Sequence, residues 1–479
     1  MESIWNKQIH PPVFPSLKEN LTAEAAVIGG GICGILTAFL LQRAGLKTIV
    51  LEADAIGSGQ THLTTAKITL QHGLIYHRLL TEKGFIGAKN YAESNRRGIL
   101  AYENLIRELS ISCFFEKLPA FLYTHTPEGM EKLNQEKNAL LSLGIPCRIC
   151  RKDSWTALQV EGQAQFHPLL FLYALAPQLS IYEHTKVTRV KGNCIYTEKN
   201  TVTANHIIFA CHYPFVLVPG LYFLKMHQER SYAAALKGDA GLPAGMFFGI
   251  DSDTPSLRRF QDYTLIGGEG HRTGKNHSFF RYQALKETAK KFFPKAVLAE
   301  AWSAQDCVTL DGLPYVGRFS PFAPNWYVAT GFGKWGMSLS MAAALLLTDL
   351  ICGRPCTYEE LFSPKRNWNT RAIKSFLGEM KQASCSLSQS FLNRGQKIDA
   401  DALLPGTGCI GRIDGKKRGI YKDTDDTLHL VSPRCPHLGC QLCWNPEDKT
   451  WDCPCHGSRF HRTGEIIDGP AQTGIHDQD

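Results

Sequence analysis

From Ala25 to Ala53 the chain passes through an apolar run, AAVIGG, then GICGILTAFLLQRAG with apolar residues at helical spacing, then a second apolar run, LKTIVLEA. This order predicts strand, glycine turn, helix and strand, which together make one βαβ unit. Residues from about 85 to 300 mix helical patterns such as YAESNRRGILAYENLIREL with alternating runs such as KVTRVKGNCIYTEKNTVTANHIIFACH. That mixture predicts an inserted sheet with helices and no repeat array. NWYVATG reads as a further strand leading into GMSLSMAAALLLTDLICG, a helix that Gly353 and Pro355 end. Its apolar stretch, Met337 to Cys352, contains Asp349 and falls short of a bilayer's thickness, so it reads as a buried helix and gives no membrane span. From 356 to 399 the pattern turns polar, with Pro364, Asn367, Asn369 and a Ser/Gln-rich stretch, and predicts a linker. Residues 400–479 carry short alternating runs among glycines, prolines and cysteines, as in a small β domain organised around a metal.

Length adds that 479 residues exceed one ordinary domain. The net charge of +8 is not gathered into a Lys/Arg run, so no nucleic-acid partner is read from it. The N-terminal MESIWNKQIHPPVFPS lacks a basic segment followed by an apolar one and lacks a twin-arginine signal, from which a cytoplasmic location is expected. Most of the 16 cysteines are scattered singly, as reduced buried thiols are, but five fall between Cys435 and Cys455. That density calls for a metal.

Within it, Cys435-x-His437 is followed after fifteen residues by Cys453-x-x-His456. Two thiolates and two imidazoles, one of each per loop, match the donor set of a [2Fe-2S] cluster with cysteines on one iron and histidines on the other. A zinc site is the alternative, although a finger of the two-cysteine, two-histidine kind presents both cysteines first.

With CPHLGC, CPCHGSRF and Gly469 to Ala471 (GPA), residues 400–479 resemble a Rieske domain. The resemblance implies a disulfide between Cys440 and Cys455, leaving Cys443 as an odd thiol, read as a small buried residue. In respiratory Rieske proteins a serine hydroxyl bonds a cluster sulfide and a tyrosine hydroxyl bonds a cysteine sulfur. Here Ser458 is present, but Phe460 stands where the tyrosine would be. Because hydrogen bonds to sulfur stabilise the reduced cluster, a potential below that of the quinol-oxidising proteins is expected.

The spacing Gly29-x-Gly31-x-x-Gly34 follows a strand and opens a helix, and Glu52 closes the next strand. Such glycines admit a pyrophosphate to a helix N-terminus, and the acid accepts ribose hydroxyls. WSAQDCVTLDGLPYVGR and WYVATGFGKWGMSLSMA resemble the C-terminal, FAD-closing segment of the D-amino-acid oxidase-like superfamily, which includes glycine oxidase, sarcosine oxidase and dimethylglycine dehydrogenase. The resemblance covers about residues 20–355. It implies an α/β FAD-binding Rossmann-like domain with a mixed-sheet (α+β) substrate domain, followed by the all-β Rieske domain. Within 1–355 the nucleotide-binding parts are expected at about 20–80 and 300–355 and the substrate part at about 85–300.

By the same resemblance Asp311, Gly312 and Gly317 shape a loop near the flavin, while Gly331, Gly333, Gly336 and Met337 bring backbone amides to its ring. Ser58, Thr61, Thr64, Thr65 and Lys67, in GSGQTHLTTAKIT, are the expected contacts beneath the cofactor. Lys67 and Lys334 are candidate cations for the reduced ring. His62 is a candidate for covalent attachment, though its spacing is offset, and Ala304 lies nearest the position of the cysteine that attaches flavin in sarcosine oxidases. Where amino-acid oxidases of the superfamily place a carboxylate-binding arginine, this chain has Asp306, which argues against a simple α-amino acid and for an amine. Lys334 and Asp306 are the catalytic candidates by position.

The expected function is an FAD-dependent oxidoreductase that oxidises a small organic substrate, an amine, and passes electrons singly through the Rieske cluster to an external electron carrier. Two alternatives stay open: a reductase with electrons running from cluster to FAD, and a redox-sensing protein without turnover. A ring-hydroxylating oxygenase is not expected, because its iron domain follows the Rieske module and only 23 residues follow His456.

Overall fold

The computed structural model describes residues 3–7, 9–152, 155–238, 241–275, 280–392 and 396–476. The predicted βαβ unit is present: the strand Leu21–Ile28, the helix Ile32–Arg43 and the strand Thr48–Leu51, with the two strands parallel and Ala25 beside Thr48. The helix is apolar on nearly every side, and it is correspondingly buried on nearly every side. Gly34 is required here, since a Cβ at that position would stand 1.9 Å from the carbonyl oxygen of Gly29.

This unit sits in an eight-stranded sheet whose main path runs Tyr315–Ser320, Ala323–Thr330, Thr201–Phe209, Leu21–Ile28, Thr48–Leu51 and Ser180–Tyr182. Thr201–Phe209 pairs parallel with Leu21–Ile28, so part of the middle segment expected in the insertion belongs to the nucleotide-binding sheet. Local alternation identifies a strand but not the sheet it joins. Gly336–Ile351 forms the buried helix expected from its pattern and packs on Ile32–Arg43.

A nine-stranded sheet forms the second layer, and two of its strands, Met226–Lys237 and Val297–Thr309, pair antiparallel along most of their length. The helix Tyr76–Glu108 packs on Gly336–Ile351 and is kinked where Gly84 takes φ 69°. The C-terminal module consists of a three-stranded and a four-stranded antiparallel sheet around Tyr421, Val431, Leu442, Trp451 and Phe460.

The segment expected as a polar linker contains a 23-residue helix, Thr370–Leu392. Asn369 starts it by accepting the Ala372 amide at 2.9 Å, the role of an N-cap. Glu379 on this helix takes a two-pronged contact from Arg272 at 2.6 and 2.6 Å, and Leu387 packs against the core of the C-terminal module. The connection is therefore packed structure, and it holds the two modules against each other. Among the described residues, no helix is long and apolar enough to cross a membrane.

Candidate functional site

Two sites meet in this chain. The larger is a cavity of about 760 Å³ at the carboxyl ends of the parallel strands, the customary ligand position in such sheets. Gly29, Gly31 and Glu52 line one part of it; Ser58, Thr61, Thr64, Thr65 and Lys67 line another. Gly331, Gly333, Gly336 and Met337 contribute from the far end of the chain, together with Asp306 and Lys334. Gly34 lies beneath the turn, where its value is close packing.

Thr61 Oγ1 accepts the Ile32 amide at 3.0 Å and so ties the 57–69 loop to the helix N-terminus. Glu52 accepts the amides of Gly30 at 2.5 Å and Asp54 at 2.9 Å, and burial raises its pKa against those donors. Lys67 donates to Ser256 and, at 3.4 Å, to the Phe247 carbonyl; burial, helped by nearby Arg258, brings it down to about 7. Asp306 accepts from Ser231 Oγ at 2.9 Å, and burial lifts it to about 6. Lys334 pairs with Glu229 at 3.6 Å.

One expectation needs revision, and two positions bear on covalent attachment. Asp311 is not brought to the cavity: its carboxylate binds the Arg366 guanidinium at 2.6 and 2.8 Å and the Leu313 amide at 3.2 Å, so it braces the turn against the connecting segment. His62 is absent from the cavity lining, with Nδ1 3.2 Å from the Gly57 carbonyl oxygen, which leaves a covalent link through it without structural support. Ala304 does line the cavity, and it offers no atom for attachment.

The second site is the pocket between the loops 435–440 and 453–458. Cys435 and Cys453 are 2% and 1% exposed and share a hydrogen bond between their sulfurs, so the first proton leaves readily and the second is held. The His437 and His456 rings lie 4.9 Å apart, and burial pushes them down to about 4 and about 3, which keeps both imidazoles neutral. Among the described residues, neither nitrogen of His437 nor Nδ1 of His456 finds a hydrogen-bond partner. Neutral imidazoles with buried, unpartnered ring nitrogens beside a thiol pair fit a [2Fe-2S] cluster with two cysteine and two histidine ligands.

Cys440 and Cys455 form the disulfide expected from the resemblance. Their sulfurs lie close to that of Cys453, but the bridge removes both as metal donors. Ser458 accepts the Ala471 amide at 3.0 Å and also hydrogen-bonds the Cys435 sulfur, whereas Phe460 is fully buried and presents no hydroxyl. Burial raises the Cys443 thiol to about 11, as for an inert packed residue.

Sequence reasoning missed how the two sites join. Ile466, Asp468, Gly469, Ala471 and Gln472 of the C-terminal module line the flavin cavity. Lys186 donates to the Gln472 carbonyl at 2.6 Å, and fully buried Arg230 pairs with Asp448 at 2.5 Å. Arg272 donates to the carbonyls of Pro454 and Cys455, on the loop that carries His456. The Gly-Pro-Ala motif was visible as part of a Rieske pattern, but nothing local in it announces a wall for a distant cavity.

Comparison with known proteins agrees with this geometry. The FAD dependent oxidoreductase family (DAO) matches residues 24–350, and the Rieske [2Fe-2S] domain matches residues 398–477. The chain belongs to the DAO family of FAD-dependent oxidoreductases and carries a C-terminal Rieske domain; its cofactors are FAD and a [2Fe-2S] cluster. It is similar along nearly its whole length to YhfW of Bacillus subtilis (strain 168), provisionally named a Rieske 2Fe-2S iron-sulfur protein, with 35% identity over 98% of this chain and 96% of that one. The Rieske part alone is 36% identical to cytochrome b6-f complex iron-sulfur subunit 3 of Nostoc sp. (strain PCC 7120 / SAG 25.82 / UTEX 2576), over 16% of this chain and 47% of that subunit. In fold, 73% of the chain superposes on all of glycine oxidase from Geobacillus kaustophilus with a TM-score of 0.63 at 19% identity. L-proline dehydrogenase from P. horikoshii gives the same score at 17% identity, over 72% of this chain and 97% of that one.

Proposed function

We propose that this oxidoreductase oxidises a small amine in the flavin cavity and releases the electrons one at a time through the Rieske centre to an external carrier. The observation that carries the reading is the shared wall: the cavity lined by the glycine turn and the 57–69 loop is closed by residues 466–472 of the Rieske module. When bound, FAD supplies acceptance of an electron pair and release in single steps, and the cluster supplies one-electron acceptance.

In this reading Cys435 and Cys453 hold one iron and His437 and His456 the other, with the Cys440–Cys455 disulfide pinning the two loops. Gly29, Gly31 and the N-terminus of Ile32–Arg43 take the pyrophosphate, and Glu52 takes the ribose. Ser58, Thr61, Thr64 and Thr65 serve as polar contacts on the cavity floor, and the Gly331–Met337 turn closes it. Asp306 binds the substrate's ammonium: above about pH 6 it is a carboxylate in the cavity, which attracts a cation and repels a carboxylate. Lys334 stands beside it and balances the charge of Glu229.

The test is an anaerobic titration of the purified protein with candidate primary, secondary and tertiary amines, following flavin absorbance and the EPR signal of the reduced cluster. Bleaching by an amine together with a Rieske signal supports the reading. Reduction of both centres by dithionite but by no amine overturns amine oxidation and favours a reductase or a sensor.

A further inference from the structure

The contact between the modules has a specific chemical form. Gln228, on Met226–Lys237, and Gln305, on Val297–Thr309, are each 1% exposed, yet both end on the Rieske loop. Gln228 Nε2 donates to the carbonyl of His456 at 2.9 Å and to that of Gly469 at 2.7 Å. Gln305 Nε2 donates to the Gly457 carbonyl at 2.8 Å and to Gln228 Oε1 at 2.8 Å. Thr273 Oγ1 holds Gln305 Oε1 at 3.2 Å, and the Gln305 amide donates to Gln60 Oε1 at 2.8 Å. The amide groups of the pair are thus fixed from several sides.

The backbone approaches as closely as it can. Gly457 has φ +83°, and a Cβ there would stand 2.5 Å from Gln228 Cβ; a Cβ on Gly274 would stand 2.5 Å from the Pro454 nitrogen. Only glycine permits this seating. On the other side, Asp306 is the next residue after Gln305, and it lines the flavin cavity together with Ala304 and Gln60. The residue whose side chain is bonded to the cluster loop is therefore flanked in sequence, on both sides, by residues of the cavity wall.

We infer that Gln228 and Gln305 are positioning residues that hold the histidine loop of the cluster in a fixed, docked seat against the flavin cavity, so that electrons cross in this arrangement without movement of the Rieske module. The inference rests on the electron-transfer reading above. One electron is lost by the reduced flavin and gained by the oxidised cluster, with no heavy-atom bond formed or broken. The flavin's proton passes to water, and an external one-electron carrier reoxidises the cluster before the second electron follows. A swinging module would not need two buried glutamines that give three of their four side-chain N–H bonds to carbonyls of the Rieske module, since undocking would strand those groups unpaired.

The test uses the holoprotein and supplies electrons without any amine, by laser-flash photoreduction of the flavin with 5-deazaflavin. Absorbance then follows the flavin and the cluster as they equilibrate. In the wild-type chain the rate is expected to be unchanged by added glycerol; a rate that falls in proportion to viscosity overturns the docked route. Gln305→Met and Gln228→Met are expected to slow equilibration by roughly tenfold to a hundredfold, the scale on which small misplacements of preorganised groups act. Both should leave the redox potentials and the EPR spectrum of the cluster unchanged, and should raise amide hydrogen exchange at residues 453–457.

Unchanged rates, or slowing that is explained by a shifted cluster potential, overturn the positioning role. Should a variant fail to fold, the glycerol series on the wild-type chain still decides the matter. If no amine reduces the protein yet the flash experiment behaves as described, the substrate assignment fails and this inference stands.

Discussion

The four proposed cluster donors and the disulfide between their loops come from the stretch Cys435–His456, whereas the flavin cavity takes its wall from residues as far apart as Ile28 and Gln472. The cluster pocket needs side chains of particular chemistry at short spacing, and such a site can be written into one segment. The cavity needs space, backbone amides and a helix terminus, which only a folded sheet with its surroundings supplies. A compact site of this kind can be abolished by one atom, while the distributed site degrades by degrees.

The sharpest way to break that comparison is Cys453→Ser. Iron and acid-labile sulfide should fall to background while flavin content persists, because no donor for the cluster lies in the flavin cavity; loss of both cofactors on analysis of the purified variant would show the two sites to be one cooperative unit. Next in size is the clamp between modules. Arg230→Met removes the nearer guanidinium from Asp448 and leaves it only Arg459, at 3.6 Å, so the loss is expected to stay below the about 3–5 kcal/mol that one-sided removal of a fully isolated buried pair costs. The expected result is a lower melting temperature with proteolytic cleavage appearing between the modules.

Smaller effects sharpen the picture within each site. Burial raises Asp306 to about 6, so the folded state holds its proton more tightly than the unfolded chain does: the group favours folding most below its ordinary value of 3.8, and that contribution is lost as pH rises through about 6. For binding the sign is opposite, since only the carboxylate attracts an ammonium. KM for a cationic amine is therefore expected to fall on the order of tenfold as pH rises through about 6, and Asp306→Asn to flatten that profile. The smallest effect is expected from Phe460→Tyr, where a phenol directed at a cysteine sulfur would raise the cluster potential by tens of millivolts, against the roughly 59 mV that a tenfold one-electron change represents. A protein-film redox titration measures it.

The same contrast explains what could be read from the chain before its fold was known. Cys435, His437, Cys453 and His456 stand out because ligand chemistry and loop spacing are local, and the glycine turn stands out because Gly34 answers a clash within its own βαβ unit. Asp311 misled because its position in a family turn does not reveal Arg366, a partner 55 residues later that takes up both carboxylate oxygens. The helix Thr370–Leu392 was hidden by polar residues that face solvent, its apolar contacts being with surfaces contributed by other segments. Gln228 and Gln305 gave no signal at all, since a glutamine in an alternating strand looks the same whether it meets water or a loop carbonyl.

The wall formed by residues 466–472 is also the last part of the cavity to be synthesised. During synthesis the strands, the glycine turn and the Gly331–Met337 segment emerge well before that stretch, a delay of several seconds at about 5–20 residues per second. For that interval the cavity stands open on one side, with its nucleotide-binding elements already present. FAD can enter while the last side is missing, and the Rieske module then arrives as a door that shuts behind it.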